Sequence, residues 1–184
     1  MKVEAIKEKK QIELIKKLLK DNTRNYTLFT CGINNGLRAG DLLNIKIFQV
    51  KNKKIGDCIE IKEEKTGKIN YFYLNKSCFH SIQKLIREND YKNDDYLFLS
   101  RKGKNKLTTY SLSRLVKKWC NEIGLNGNYG SHTLRKTFGY IQRMNYGVSW
   151  ELLSKRYNHS SPSITRVYLG IGDEEVEKIM MNEI

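Results

Sequence analysis

The sequence predicts a mainly α-helical domain with one small antiparallel β-sheet, an α+β fold. Three observations carry this prediction. Apolar residues recur at helical spacing through most of the chain, only one proline occurs among 184 residues, and apolar–polar alternation is confined to one short stretch. Hydrophobic residues make up 39% of the chain and charged residues 29%, a balance typical of a globular domain with its own core.

Helical patterns fill the first quarter of the chain. A helix is predicted over residues 5–20, because its apolar residues fall on one face: Ile12, Ile15, Leu18 and Leu19. A second helix is predicted over 22–35, with Asn22 or Thr23 as its N-cap. A short helix is expected after Gly40, where further apolar residues follow.

The period then changes to two. Apolar and polar residues alternate over 59–62 and again over 69–73, and the two segments flank Lys65-Thr66-Gly67-Lys68. This pattern predicts a β-hairpin that turns at residues 65–68. Helical patterns resume after the hairpin, and we expect helices over residues 76–88, 110–123, 131–145, 149–157, 161–169 and 173–182.

The charge of the chain is high and unevenly distributed. The formal net charge is +14, from 34 basic and 20 acidic residues. Residues 171–184 hold five acidic residues and one basic residue, so residues 1–170 hold 33 basic and 15 acidic ones, a net charge of +18. Such a basic body indicates a polyanionic partner, most simply nucleic acid. On charge alone, a lysine-rich solvated surface stays open as the alternative.

The sequence carries no sign of a membrane, a secretory route or a metal. No apolar run approaches the ~20 residues of a membrane span, and the N-terminus has no signal peptide, so a cytoplasmic protein is expected. The cysteines are far apart, without a Cys-x-x-Cys pair, and are expected to be buried thiols: Cys31, Cys58, Cys78 and Cys120. We expect neither a zinc site nor a cofactor.

Six polar residues stand out in chain order: Arg38, Lys65, His132, Arg135, His159 and Tyr168. Taken singly, each has an ordinary explanation as a surface, capping or core residue. Together they form a set suited to one phosphodiester. Arginines bind non-bridging oxygens bidentately, and tyrosine is a nucleophile that forms a phosphotyrosyl ester. A lysine can protonate a leaving oxygen, and a histidine can accept the tyrosine proton.

Four segments that contain these residues carry a family resemblance. They are Asn35-Gly36-Leu37-Arg38-Ala39-Gly40-Asp41-Leu42-Leu43, Lys65-Thr66-Gly67-Lys68, His132-Thr133-Leu134-Arg135-Lys136-Thr137-Phe138, and His159-Ser160-Ser161 followed by Thr165-x-x-Tyr168-Leu169. In this order and spacing, the chain resembles the tyrosine recombinases, the phage integrase family, from about Ile12 to Leu169. Each segment alone has low specificity, whereas four in order are highly specific.

The resemblance implies a mechanism centred on Tyr168. This residue would attack the scissile phosphate, displace a 5′-hydroxyl and leave a 3′-phosphotyrosyl link. A 5′-hydroxyl from another duplex would reverse the reaction and exchange strands. Because the bond energy is kept in the ester, neither ATP nor a metal is required.

The resemblance assigns supporting roles to the other five residues. Arg38 and Arg135 would stabilise charge on the pentacoordinate phosphorus, and His159 would donate a hydrogen bond to the same oxygens. His132 would assist proton removal from the nucleophile, and Lys65 would protonate the leaving oxygen.

The sequence departs from the family pattern in two respects. Family members usually carry a second histidine where Lys136 stands, a glycine where Asn158 stands and a glutamate where Asp41 stands. They also usually have an N-terminal DNA-clamping domain, and nothing before Ile12 is long enough to form one. We therefore expect one catalytic domain over residues 1–184, with a C-terminal tail helix within 173–184. The tail could dock on a neighbouring subunit or on its own domain.

The expected partner is double-stranded DNA, contacted by a basic loop and the start of the helix after it. The residues assigned to this contact are Arg101, Lys102, Lys104, Thr109, Ser111 and Arg114, and Lys106 belongs to the same loop. Thr109 could instead simply cap the helix. Other recombinase subunits are expected as partners too, with a monomer when free and a tetramer on DNA. Two alternative functions remain: a type IB topoisomerase-like enzyme and a non-catalytic DNA-binding regulator.

Overall fold

The structure is a computed structural model that describes residues 3–101 and 105–183. Its helices are α1 (Lys9–Leu19), α2 (Thr23–Asn35), α3 (Ala39–Leu43), α4 (Ile47–Val50), α5 (Lys76–Arg87), α6 (Thr109–Glu122), α7 (Ser131–Tyr146), α8 (Trp150–Tyr157), α9 (Pro162–Leu169) and α10 (Gly172–Met180). Its strands, β1 (Cys58–Lys62) and β2 (Ile69–Tyr73), pair antiparallel. The mainly α-helical fold with a small antiparallel sheet is therefore confirmed.

Two local differences from the predicted elements have simple causes. Helix α1 begins at Lys9 and not near residue 5, because the preceding segment makes tertiary hydrogen bonds in place of helical ones. The Ile6 N–H donates to Thr137 Oγ1 at 2.9 Å, and the Glu4 N–H donates to the Asn128 carbonyl at 2.8 Å. Helix α4 has a single turn, which is too short to leave a periodic signal in the sequence.

The hairpin turns at the predicted position. The Glu63 N–H donates to the Lys68 carbonyl and the Gly67 N–H donates to the Glu63 carbonyl, both at 2.9 Å. Gly67 has φ +66°, a conformation that suits glycine. The inward face of the hairpin carries Ile59, Ile61, Asn70 and Phe72, all buried. This arrangement leaves Lys65 exposed at the tip of the hairpin.

Helix α7 lies between two hydrophobic clusters. The larger cluster fills the space among α1, α2, the hairpin, α5 and α6, and it includes Leu134 of α7. The smaller cluster contains Trp150, Tyr157 and Leu169, and Phe138 of α7 packs against it. Helix α7 approaches this cluster closely at Gly139. A β-carbon at this position would lie only 2.8 Å from the Leu169 side chain, so a larger residue would not fit. Residues on α7 therefore face both parts of the core at once.

The tail helix α10 contacts its own domain through polar groups. Arg143 Nε donates to Glu175, the Trp150 indole N–H donates to Glu175 Oε2 at 3.3 Å, and Lys178 Nζ donates to the Met144 carbonyl at 3.3 Å. The apolar side chains of this segment are exposed: Val176, Ile179, Met180 and Met181. None of the helices in the described ranges is long and apolar enough to cross a membrane.

Candidate active site

The structure brings the six predicted catalytic residues to one region around Tyr168. His132 and Arg135 lie about one turn apart at the start of α7, and Arg38 is the N-cap of α3. His159 follows α8, and Tyr168 lies near the end of α9. Lys65 comes to the region from the hairpin tip, and its charge is one of those that lower the pKa of His132.

The Arg135 guanidinium is buried and held by backbone carbonyls. Nη1 donates to the Gly36 carbonyl at 2.7 Å, and Nη2 donates to the Tyr157 carbonyl at 2.9 Å. The guanidinium carbon also lies 4.1 Å from the centroid of the Tyr157 ring. Burial lowers the pKa of Arg135. Because the ordinary pKa of arginine lies far above neutral pH, the guanidinium stays charged near pH 7. The site therefore contains a fixed positive charge.

The Tyr168 phenol is enclosed by polar and aromatic groups. Its Oη lies 3.5 Å from His132 Nδ1, and its ring lies edge-on to the Tyr157 and His159 rings at 5.8 and 5.5 Å between centroids. Lys136 Nζ lies 5.2 Å from the ring centroid. Burial raises the pKa of Tyr168, although the Arg135 charge and hydrogen bond act in the opposite direction. The phenol is therefore protonated near pH 7.

The two histidines of this region, His132 and His159, are neutral near pH 7. Burial, followed by the charges of Arg135 and Arg38, lowers the pKa of His159 to about 4. Desolvation, followed by the charges of Arg135 and Lys136, lowers the pKa of His132. Neutral imidazole can accept a proton from one group while it donates to another.

Arg38 pairs with a buried carboxylate that the sequence did not reveal. Arg38 Nη1 lies 2.5 Å from Glu63 Oε2, and the Glu63 side chain is fully buried. Burial alone would raise the pKa of Glu63, but hydrogen bonds from Thr66 and Asn70 and the Arg38 charge outweigh it and lower that pKa. A glutamate at the end of an amphipathic strand is usually solvated, so its burial left no signal in the sequence.

The three positions that depart from the family pattern all lie in this region. Asp41 is buried and accepts the Glu64 N–H at 3.0 Å. Lys136 is buried beside the Tyr168 ring. Asn158 is the one non-glycine residue with positive φ, +54°, in the described part of the chain. Asparagine tolerates this left-handed conformation better than most residues, which explains how it replaces a glycine.

The residues predicted to contact DNA are only partly brought together. Arg101, Ser111 and Arg114 line one cavity of about 670 Å³, whereas Thr109 is exposed as the first residue of α6. The N-cap of α6 is Thr108, whose Oγ1 accepts the Ser111 N–H at 3.1 Å. The predicted contacts Lys102 and Lys104 lie outside the described residues.

Lys106, which belongs to the basic loop, is paired within its own domain. Its Nζ donates to Asn44 Oδ1, lies 3.6 Å from Glu64 Oε1 and lies 5.8 Å from the centroid of the Tyr96 ring.

All four cysteines are free thiols; three are buried and Cys58 is half-buried. Within residues 3–101 and 105–183, no three histidine, cysteine or acidic residues are grouped so that they could hold a metal ion.

Comparison with protein families identifies the chain. The model of the phage integrase family matches residues 5–175. The chain belongs to the phage integrase family.

Curated relatives of this phage integrase family member are recombinases. It is 35% identical over 175 residues to "Probable integrase/recombinase YoeC" of Bacillus subtilis, with 94% of this chain and 92% of YoeC covered. It is 28% identical over 159 residues to "Tyrosine recombinase XerC" of Caldanaerobacter subterraneus, with 84% of this chain and 43% of XerC covered. The chain thus spans nearly all of YoeC but less than half of that XerC.

Solved structures of recombinases share the fold of this family member. The crystal structure of XerA recombinase gives a TM-score of 0.77 at 19% identity and covers 96% of this chain and 65% of XerA. XerH recombinase bound to palindromic difH substrate gives 0.78 at 22% identity and covers 98% of this chain and 53% of XerH. The prediction of a tyrosine recombinase or integrase is confirmed, and neither alternative function is favoured.

Proposed function

We propose that this chain is the catalytic domain of a site-specific DNA recombinase, which cuts and rejoins strands through a 3′-phosphotyrosyl link to Tyr168. One observation carries the proposal: the Tyr168 phenol lies 3.5 Å from the neutral His132 ring and next to the buried Arg135 guanidinium. A nucleophile, a proton acceptor and a fixed positive charge are thus adjacent, as a phosphoryl transfer requires.

The scissile phosphate is bound between Arg38 and Arg135. Arg135 is fixed by the carbonyls of Gly36 and Tyr157, so little reorganisation is needed when charge develops on the non-bridging oxygens. Arg38 is fixed by its ion pair with Glu63. Two preorganised guanidinium groups stabilise the pentacoordinate phosphorus without a further cation.

Protons move through the remaining three residues. His132 accepts the Tyr168 proton, because its Nδ1 lies next to the phenol oxygen. His159 Nδ1 lies 2.9 Å from Thr165 Oγ1. When Thr165 donates to that nitrogen, the proton of the neutral ring is on Nε2, which donates to the phosphate. Lys65, exposed at the hairpin tip, protonates the leaving 5′-oxygen.

Double-stranded DNA is the substrate. The net charge of +18 on residues 1–170 supplies the non-specific attraction, and the structural relative XerH was solved on its difH substrate. Arg101, Ser111 and Arg114, which line one cavity, form part of the contact. The sequence adds Lys102, Lys104 and Thr109 to it.

The chain is a monomer when free, and four copies of it assemble as a tetramer on the DNA. The apolar side chains of α10 support this step, because Ile179 and Met180 are 64% and 75% exposed although the helix is tied to its own domain by Glu175. A second copy of the chain would bury this face. Replacing Ile179 with glutamate should weaken assembly on DNA measured by native gel shift, while a single bound subunit still forms.

The decisive experiment traps the covalent link. The chain is incubated with a pool of nicked duplexes of randomised sequence, and adducts that survive SDS are recovered, sequenced and mapped by peptide mass spectrometry. We expect one class of sequence attached at Tyr168. Tyr168→Phe should bind the same duplexes and form no adduct. An adduct at another tyrosine, or adducts spread over unrelated sequences, would contradict the proposal.

A further inference from the structure

The Glu63 carboxylate connects three segments of the proposed active site. It follows β1 and is fully buried. Its Oε2 lies 2.5 Å from Arg38 Nη1 and accepts Thr66 Oγ1–H, also at 2.5 Å. Its Oε1 accepts from Asn70 Nδ2 at 2.8 Å and from Asn158 Nδ2 at 3.2 Å. Both oxygens therefore have two partners each.

Three of these partners, Arg38, Thr66 and Asn158, belong to different functional segments. Arg38 is one of the two proposed phosphate-binding arginines. Thr66 adjoins Lys65 in the hairpin turn, and Asn158 immediately precedes His159. One buried anion thus sets the distances among the arginine, the hairpin tip and the histidine loop.

A second set of hydrogen bonds fixes the network from the opposite side. Arg156 Nη1 donates to Asn70 Oδ1 at 2.6 Å, and Arg156 Nε donates to the Asn35 carbonyl at 3.0 Å. Asn70 Nδ2 is thereby directed at Glu63. Buried polar groups in such a satisfied network have little freedom to move.

Asn158 adds to the network a contact that a glycine could not make. The residue has φ +54°, where glycine is ordinarily favoured. A glycine would accept the backbone conformation but has no amide to offer. Asn158 Nδ2 reaches both Glu63 Oε1 and the Ile69 carbonyl, the latter at 3.1 Å, so the side chain ties the loop to the hairpin.

We infer that Glu63 is a positioning residue for DNA cleavage, which holds Arg38 against the phosphate and, through Asn158, fixes the His159 loop. The carboxylate is buried behind Arg38 and donates nothing to the reaction. It acts by restricting where the guanidinium and the imidazole can lie. This inference rests on the proposed recombinase function.

The test compares Glu63→Gln with Glu60→Gln, the same substitution at an exposed position of β1. The substrate is a nicked duplex of the sequence recovered from the randomised pool, and cleavage is measured in a single turnover at saturating protein. Loss of a group that orients a reacting side chain costs about ten- to a hundredfold in rate. We expect such a loss for Glu63→Gln, DNA affinity within about twofold of wild type, and no loss for Glu60→Gln.

A modified phosphate separates positioning from general damage. When one non-bridging oxygen of the scissile phosphate is replaced by a methyl group, the phosphate is uncharged. Arg38 then has less negative charge to stabilise. The loss caused by Glu63→Gln should then shrink to less than about threefold. An equal loss on both substrates, or a wild-type rate on the normal one, would overturn the inference.

Asn158→Gly provides a second variant that should fold, because glycine suits φ +54°. It removes one amide from Glu63 and should slow cleavage of the normal phosphate more than that of the methylated one. If Glu63→Gln does not fold, a wild-type rate for Asn158→Gly overturns the inference. Wild-type protein and Tyr168→Phe run alongside: no adduct with wild type refutes the recombinase proposal itself, whereas an adduct with unimpaired Glu63→Gln refutes only the positioning role.

Discussion

Tyr168 Oη and His132 Nδ1 lie 3.5 Å apart, although 36 positions separate the two residues in the chain. Helix α7 places His132 beside α9 because α7 packs against both hydrophobic clusters. The pKa of the phenol is raised by burial and the pKa of the imidazole is lowered by desolvation. A neutral imidazole, the proposed proton acceptor, therefore lies next to a protonated phenol, the proposed nucleophile, near pH 7.

This pair predicts the pH dependence of cleavage. His132 is a competent acceptor only when neutral, and its pKa is below the ordinary 6.5. The single-turnover rate should be level near pH 7 and fall only below about pH 6.5, as His132 takes up a proton. His132→Ala should cost about 10²–10⁴ in rate and remove most of this acid limb. An unchanged acid limb in the variant would assign it to another group.

The buried His159 ring predicts how stability depends on pH. Its pKa is about 4 in the folded chain, against an ordinary value of 6.5. Between these values the unfolded chain binds more protons than the folded chain, so protonation favours unfolding. The melting temperature measured by circular dichroism should fall as the pH is lowered from 6.5 towards 4. His159→Gln should reduce that fall, whereas equal slopes in both proteins would show that other groups cause it.

Lys65 is expected to act on the leaving oxygen. Lys65→Ala should cleave normal DNA slowly, because an alkoxide leaves poorly without a proton. It should recover much of its rate when sulfur replaces the bridging 5′-oxygen, since a thiol has a pKa of about 8.5. Arg135→Ala should show no such recovery. Lys68 is the comparison residue, because it lies in the same hairpin turn. Its Nζ is 3.5 Å from the carbonyl of Asn158, the residue before His159. Rescue of Lys68→Ala alone would transfer the role to that lysine.

Arg135 should be needed for both cleavage and stability. Arg135→Ala removes a fixed positive charge, and loss of one preorganised donor costs about 10²–10³ in rate. It also leaves the Gly36 and Tyr157 carbonyls without their donors, at about 1–3 kcal/mol for each buried group. Urea denaturation should show the loss of stability. The loss of rate should appear in single-turnover assays, which are run at a temperature where the variant is folded. Arg114→Ala, an exposed arginine of α6, is the control and should keep its stability. A stable variant with slow cleavage would show that the two carbonyls are satisfied in another way.

Much of the fold could be predicted because its signals are local. The hairpin turn needs only Gly67 at positive φ between alternating strands, and α2 is capped at its C-terminus by Gly36, whose φ is +61°. Helices predicted over 76–88 and 131–145 are observed at Lys76–Arg87 and Ser131–Tyr146. Periodicity and capping act within a few residues, so one sequence is enough to place these elements.

The sequence by itself determined the hairpin and the order of the described helices other than α4, and its motifs led to the proposal of six catalytic residues, since each depends on nearby residues or on a motif. Only the tertiary structure decided that Glu63 is buried against Arg38 and that Lys106 is paired with Glu64 and Asn44. Both outcomes depend on contacts between distant segments. The environment of a charged side chain is set by which segments pack around it, and no local pattern in the sequence records that packing.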